Sequence, residues 1–400
     1  MRILIAEEAL QSNIGHWPNY IGCLSNGMRK CGDTVDILGH QNATETLRNE
    51  LGVIPYLSQN CWLDSASQGL VGGLRHNFRF KSELKRWLKN HPPYDWVCSL
   101  TARLQHLLAF AILSRNPIAG SHTKYLLLFV QGFSRYSEES QSYQFLRSPS
   151  TLLAKFCFRL LTPAVEAKNV ILAAETEAMK RELEEFTNLP VELFPHPIEA
   201  KNLSLNAKIA PEPITVSCPG CARHEKGSDL LLSAIGLLNS EDALEHFHFI
   251  LQWPEPFMLP DGAMVEPDDE VLNSTHTSFY NESLDAAAYN KWLSQTDFVI
   301  LPYRKSSYYN RLSRVAIEAG ARGIPLIYTD GTWTEEVAAL VECGVKIDEE
   351  SPAELVKALN RAYRDAENLK GRAVAGSERV KQYHSCEKFR SIMLQHSSPD

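Results

Sequence analysis

"SCPGCARHEKGSDLLLSAIGLL" (Ser217–Leu238) decides how the chain is read. It sets a loop between the apolar strand "ITVSC" and a helix that begins near Ser228-Asp229. Cys218-Pro-Gly-Cys221 offers a redox dithiol; Arg223 and Lys226 offer a loop that holds phosphate. A reactive dithiol needs its first cysteine at a helix N-terminus, where the dipole lowers the thiol pKa. Here Pro219 and Gly220 break the chain at once, and the next helix start lies seven residues past Cys221, so the thiols read as incidental. Arg223 and Lys226 instead reach the mouth of the following helix, whose exposed amides add partial positive charge. Two solvated loop charges would look the same, so this loop needs a partner.

The partner is "LPYRKSSYYNRLSRVAIEAGARGIPLIYTDGTWTEEV" (301–337). An apolar strand ends in Pro302-Tyr303. A polar loop, a helix carrying Glu318, Gly-Ile-Pro, a further strand and a Gly-containing turn follow. A buried glutamate beside such a loop accepts hydrogen bonds from ribose hydroxyls; a glutamate on a helix surface does nothing of the kind.

Strands and helices alternate on both sides of this region. "RILIAEEA", "TVDILG", "DWVCSL" (95–100), "KYLLLFVQG" (124–132) and "NVILAAE" (169–175) read as strands, with a glycine-containing helix between the first two. Such βαβ units imply parallel sheets. Residues 187–215 hold five prolines and read as an interdomain connection. Beyond it come "ITVSC", "FHFILQ", "DFVILPY" and "IPLIYTD" as strands, and a helix capped by Ser351. Two α/β halves of similar size result, and ligands of such folds bind at the carboxyl ends of the strands.

Length and charge narrow the classes. At 400 residues two domains are expected, and 44% hydrophobic content supports their cores. A formal charge of −8 argues against a dedicated nucleic-acid binder. The apolar run at the N-terminus is too short for a signal peptide and Glu7 and Glu8 interrupt it; no window spans a membrane. Nine cysteines without framework spacing suggest free thiols in a reduced, cytoplasmic setting.

The chain resembles the GT-B glycosyltransferases, specifically the retaining family 4 type. "PGCARHEKGSDLLLSAIGLL" is similar to that family's "G-R-L-x-x-x-K-G-x-D-x-L-I-x-A", and "NRLSRVAIEAGARGIPLIYTD" to its "E-x-F-G-x-x-x-x-E-A-M-A-x-G-x-P-V-V". "NIGHWPNYIGCLSNGMRKCGDTVDIL" and "VELFPHPIE" match its N-terminal pattern and its domain-closing segment. The resemblance implies two Rossmann-like parallel-sheet domains facing across a cleft: residues 1–198 on the acceptor side, 199–383 for the nucleotide sugar, and 384–400 as a helix returning to the first. It implies transfer of a sugar from a nucleotide diphosphate, UDP- or GDP-linked, to an acceptor hydroxyl in glycan, polysaccharide or glycolipid synthesis, with retention, no metal and no cofactor. By the same resemblance Lys226, helped by Arg223, neutralises the leaving diphosphate. Glu318 binds the ribose, amides around Ser313 and Arg314 meet the phosphates, and Gly15-His16 face them from the other domain.

Three positions depart from the family pattern. Asn310 stands where the first of two paired glutamates is usual, Cys221 where an arginine is, and Gln131 where many members have a histidine. Asn310 keeps open a non-catalytic homologue that binds a nucleotide or a partner subunit; an epimerase on the same fold is a further alternative, though its carboxylate and histidine set is not evident. "EPDDE" (266–270) has the look of a carboxylate metal loop but reads as a solvated charged turn. "GLRHNFRFKSELKRWLKN" (73–90) interleaves six cations with Leu74, Phe78, Phe80, Leu84, Trp87 and Leu88. It reads either as a peripheral contact with an anionic membrane at its inner face or as a surface helix that buries its aromatic side, and "LLAKFCFRLL" (152–161) is a second, weaker segment of the same kind.

Overall fold

Short apolar runs flanked by turns form two parallel sheets, each in its own unit. The computed structural model describes every residue except 13–16, 116–121, 138, 141, 200–202, 204, 206–211, 242, 283, 349 and 398–400. The chain divides into one compact unit of Met1–Arg135, Tyr143–Ile198 and Ser385–Asp400, and a second of Tyr136–Ser142 and Glu199–His384.

The main sheet of the first unit has seven strands: β1 (Arg2–Ala6), β2 (Thr34–His40), β3 (Val53–Leu57), β4 (Trp96–Ser99), β5 (Lys124–Phe129), β6 (Val170–Ala174) and β7 (Val191–Leu193). They are ordered β3-β2-β1-β4-β5-β6-β7, and every pairing is parallel. Successive side chains of a strand point to opposite faces, and a parallel sheet is covered on both. Leu4 and Ala6 accordingly enter one core while Ile3 and Ile5 enter the other; Leu127 and Phe129 part from Leu126 and Leu128 in the same way. Each fully buried aliphatic side chain contributes about 1.5–3 kcal/mol, which explains the uninterrupted apolar runs.

The helix Cys386–Ser397 belongs to this first unit although it closes the sequence. Phe389 packs on Phe194 with ring centroids 4.6 Å apart. Arg390 donates to both carboxylate oxygens of Asp33 at 2.7 and 3.0 Å, and Trp96 Nε1 donates to Ser397 Oγ at 2.9 Å. Gly27 lies directly under Cys386, with no room there for a Cβ.

The second unit holds β8 (Ile214–Cys218), β9 (Phe247–Gln252), β10 (Thr277–Tyr280), β11 (Phe298–Leu301), β12 (Leu326–Thr329) and β13 (Val345–Ile347), ordered β10-β9-β8-β11-β12-β13 and parallel throughout. From β8 the chain winds outward to β9; from β11 it winds the other way to β12. The loops that leave the carboxyl ends of β8 and β11 therefore part, and a sheet of this order binds its ligand in the gap so formed. Among the described residues no helix is long and apolar enough to cross a membrane.

Candidate functional site

Two loops build the site in the second unit. The loop after β8 ends in a tight turn, His224–Lys226, closed by Gly227 at φ +65°. Any Cβ at Gly227 would collide with the Pro302 carbonyl oxygen, so glycine is required both by conformation and by space. This contact seats the loop after β8 on the first residue beyond β11. Arg304 fastens the two further: it donates to Asp229 at 2.6 Å, to the His224 carbonyl at 3.1 Å and to Glu350 at 3.4 Å. It is a brace, and the sequence reading passed over it.

Lys226 is half-buried, its ammonium lying over Gly220, where a Cβ would strike Nζ. Among the described residues no carboxylate oxygen comes within 4.0 Å of that ammonium. Burial lowers its pKa, the neighbouring thiol of Cys218 offsets this in part, and repulsion from Arg223 adds to it. A cation that has lost water without gaining a counter-ion is a place where an anion is welcome. Arg223 is exposed, its guanidinium 3.8 Å from Glu225, and Arg311 approaches the same carboxylate at 3.9 Å.

The loop after β11 carries the other residues. Tyr303 stacks on Tyr308 with ring centroids 3.9 Å apart, and its hydroxyl lies 3.2 Å from Ser313 Oγ. Ser313 caps the helix Arg314–Ala321 by accepting from the Ala316 N–H. Within that helix Glu318 is buried and accepts from Arg314 Nε at 2.7 Å. Tyr289 also bonds to Glu318; burial and that carboxylate hold the phenol well above its usual range. Glu318 is thus an ordered, ion-paired carboxylate rather than a solvated one on a helix surface. Asn310 is buried in the same loop. Gly15 and His16 lie outside the described residues.

The alternative readings resolve on geometry. Cys218 and Cys221 are separate thiols, and burial pushes Cys218 up to about 11, the reverse of a reactive dithiol. In the "EPDDE" turn Asp268 caps the short helix Asp269–Leu272 and Glu270 accepts from Asn239. In the 73–90 segment Phe80, Leu84, Trp87 and Leu88 are core residues; of its aromatic rings only Phe78 stays exposed.

A second polar group escaped the sequence reading. It stands at the carboxyl end of β1, where Glu7 and Glu8 are both buried. Glu7 takes two hydrogen bonds from Thr101 Oγ1, at 2.8 and 2.9 Å. Glu8 meets His76 Nε2 at 2.9 Å, His106 Nε2 at 3.1 Å and the Cys61 N–H at 2.9 Å. Glu8, Cys61 and His106 place one ligand atom each within 4.8 Å of one another, a donor set that suits zinc. The tautomer argues otherwise. His106 Nδ1 accepts from the Arg103 N–H at 3.1 Å, so the ring proton sits on Nε2 and points at Glu8, where a metal would need the lone pair. The group is built as a hydrogen-bond network. Its one sequence signal is a pair of glutamates placed directly after an apolar strand.

With this geometry in view, residues 213–365 match the family described as Glycosyl transferases group 1. Residues 213–365 are thus similar to a glycosyltransferase domain. No curated protein sequence matches it. Among solved structures, sucrose-phosphate synthase from Thermosynechococcus elongatus aligns over 99% of this chain and 98% of its own, at 15% identity and a TM-score of 0.67. HepE from Anabaena, in complex with UDP, aligns over 99% of both chains at 13% identity and a TM-score of 0.64. The catalytic domain of starch synthase IV from Arabidopsis thaliana, bound to ADP and acarbose, aligns over 100% of this chain and 99% of its own, at 13% identity and a TM-score of 0.59. At such identities the likeness shows the fold: both units of the chain are Rossmann-like, as in the GT-B type.

Proposed function

We propose that the protein moves a sugar from a nucleotide diphosphate to an acceptor hydroxyl, with retention and without a metal. The observation that carries this reading is Lys226, a half-buried cation with no carboxylate in reach among the described residues, set at the mouth of the helix Ser228–Ser240. In the reaction the bond from the anomeric carbon to the phosphate oxygen breaks, and its electron pair leaves with the diphosphate. The acceptor oxygen forms the new bond, and its proton passes to the departing phosphate. The demand on the protein is to stabilise the growing negative charge, for which fixed cations and amide dipoles serve well. Lys226 takes the diphosphate with Arg223 beside it, and the amides at Ser313 and Arg314 complete the cradle. Glu318 holds the ribose and Asn310 meets the sugar. The donor is UDP- or GDP-linked; that HepE has been captured with UDP and with UDP-glucose supports a nucleotide-sugar donor here.

The acceptor belongs on the first unit and is a glycan or a lipid-linked sugar. Contact with an anionic membrane falls to the exposed side of the 73–90 segment, since its aromatic side is spent on the core. A second reading, a nucleotide-binding homologue without catalysis, is favoured by Asn310 alone.

One experiment separates the two. UDP or GDP should raise the melting temperature, and free phosphate should not. The chain should slowly hydrolyse the matching nucleotide sugar, and Lys226→Ala should lower that rate about 10²–10³-fold with the melt of the unliganded protein unchanged. A nucleotide shift without any hydrolysis or transfer would favour the binding homologue, and no shift from any nucleotide would remove both.

A further inference from the structure

Exposed apolar side chains are unevenly spread over the molecule. The described residues expose thirteen large ones, and seven gather on or just before two helices of the first unit, Gly69–Asn90 and Pro149–Glu166. Val71 is 70% exposed, Phe78 50%, Leu152 70% and Phe156 54%. Both helices pack about the helix Leu104–Arg115 and bury their inner sides, Phe80 and Leu84 on one and Ala154 and Phe158 on the other, in one core. They therefore share a face.

They also share an edge. A helix that joins two parallel strands begins at the carboxyl end of the first strand, so the N-termini of both helices lie on the carboxyl edge of the sheet. Val71 and Leu152 are in the first turns of their helices, and Phe156 is in a second turn. The apolar groups thus crowd the edge at which such sheets bind ligands.

The same surface is basic. The first helix has six cations against the single acid Glu83; the second, with Arg147 before it, has three against Glu166. Val71, Arg75, Phe78, Ser82, Lys85 and Lys89 follow one another at helical spacing on the exposed side. In a chain of formal charge −8 this is a positive island. A neutral apolar partner would strip the cations of water and leave them unpaired. An anionic bilayer serves both kinds of group, taking Phe, Val and Leu into its hydrocarbon boundary and Lys and Arg at its headgroups.

We propose that this edge of the first unit docks on an anionic lipid bilayer. On the glycosyl-transfer reading, on which this last step rests, the docked edge takes its acceptor from a lipid carrier.

The test is sedimentation of the full chain with vesicles of phosphatidylglycerol and phosphatidylcholine, or of phosphatidylcholine alone. The chain should bind the anionic vesicles about tenfold more tightly than the zwitterionic ones, and high salt should weaken the binding. Val71→Ser with Phe156→Ser, and separately Arg75→Glu with Lys85→Glu, should each lower it about tenfold or more, with the nucleotide-induced melting shift intact. If that shift is absent while vesicle binding persists, the donor reading fails and docking stands. The proposal is overturned if anionic vesicles do not carry the protein down, if the substitutions leave binding untouched, or if the face proves to join two copies in a dimer that the substitutions dissolve.

Discussion

Glu7 and Glu8 are neighbours in sequence, yet their surroundings drive their carboxyls apart. Burial pushes Glu7 up to about 8 against the opposing hydrogen bond from Thr101. Burial acts on Glu8 as well, but the imidazoles of His106 and His76 outweigh it and hold that carboxyl well below the usual range. The sign for Glu7 follows from linkage. Its ordinary value is 4.5, so between pH 4.5 and 8 the folded chain holds a proton that the unfolded chain releases, and stability falls as pH rises through that window. Glu7→Gln keeps a neutral acceptor for Thr101 and removes the titration. Urea denaturation at pH 5 to 8 should show the wild-type chain losing stability relative to the variant by up to a few kcal/mol; parallel curves would dismiss the buried acid. None of this was legible beforehand, because the partners at 61, 76, 101 and 106 are remote in sequence and meet only when β1, β4 and the intervening helices assemble. Lys226 and Glu318 were different. Lys226 follows β8 in the next loop and Glu318 sits in the helix that follows the loop after β11, so a local strand–loop–helix pattern was enough to suggest both.

At the scale of elements, the strands read from sequence were the inner ones. The four edges, β3, β7, β10 and β13, left no comparable signal. Inner strands are buried on both faces and read as apolar runs, whereas Val53–Leu57 alternates with exposed Pro55, and Val191–Leu193 has three residues only. The 73–90 helix was ambiguous for a related reason: spacing reveals which side is apolar but not what covers it. The loop–loop join in the second unit gives this scale its prediction. Arg304 ties the first turn of Ser228–Ser240 to the turn at Glu350, and its side chain is mostly buried, as are those of Asp229 and Glu350. Arg304→Ala should cost about 2–4 kcal/mol, because it leaves Asp229 without its cation. Arg304→Lys should recover only part of this, since one ammonium cannot reproduce a fork that serves two carboxylates and a carbonyl. Chemical denaturation checks both, and a cost below about 0.5 kcal/mol would class the pair with exposed ion pairs of little worth.

At the scale of the whole molecule, the order of the chain and the order of the fold part company at residue 385. Two parallel sheets with the same strand order follow from the alternation of apolar runs and helices, and the two-unit architecture was legible to that extent. The return of the last helix to the first unit came from the resemblance, since nothing in its own composition names a target. Its interactions are nevertheless substantial. Phe389, Ile392 and Met393 belong to the same core as Ile3, Ile5 and Trp96, and Arg390 is one of two cations on the buried Asp33 carboxylate, the other being the N-terminal amine. Truncating a buried phenylalanine to alanine costs about 3–5 kcal/mol, and a domain holds only about 5–15 kcal/mol in all. Deleting 385–400 removes three such groups together and strips a charge from Asp33, so the first unit should no longer fold stably. Phe389→Ala provides the graded version, with a Tm lowered by several degrees but folding retained. Because the core residues of that helix, Phe389, Ile392 and Met393, belong to the first unit, the melting of the second unit and its response to nucleotide should outlast the damage, visible as a second, nucleotide-shifted transition in calorimetry. A truncated chain that melts once, at the wild-type temperature, would show that the terminal helix is an ornament to the first core rather than part of it.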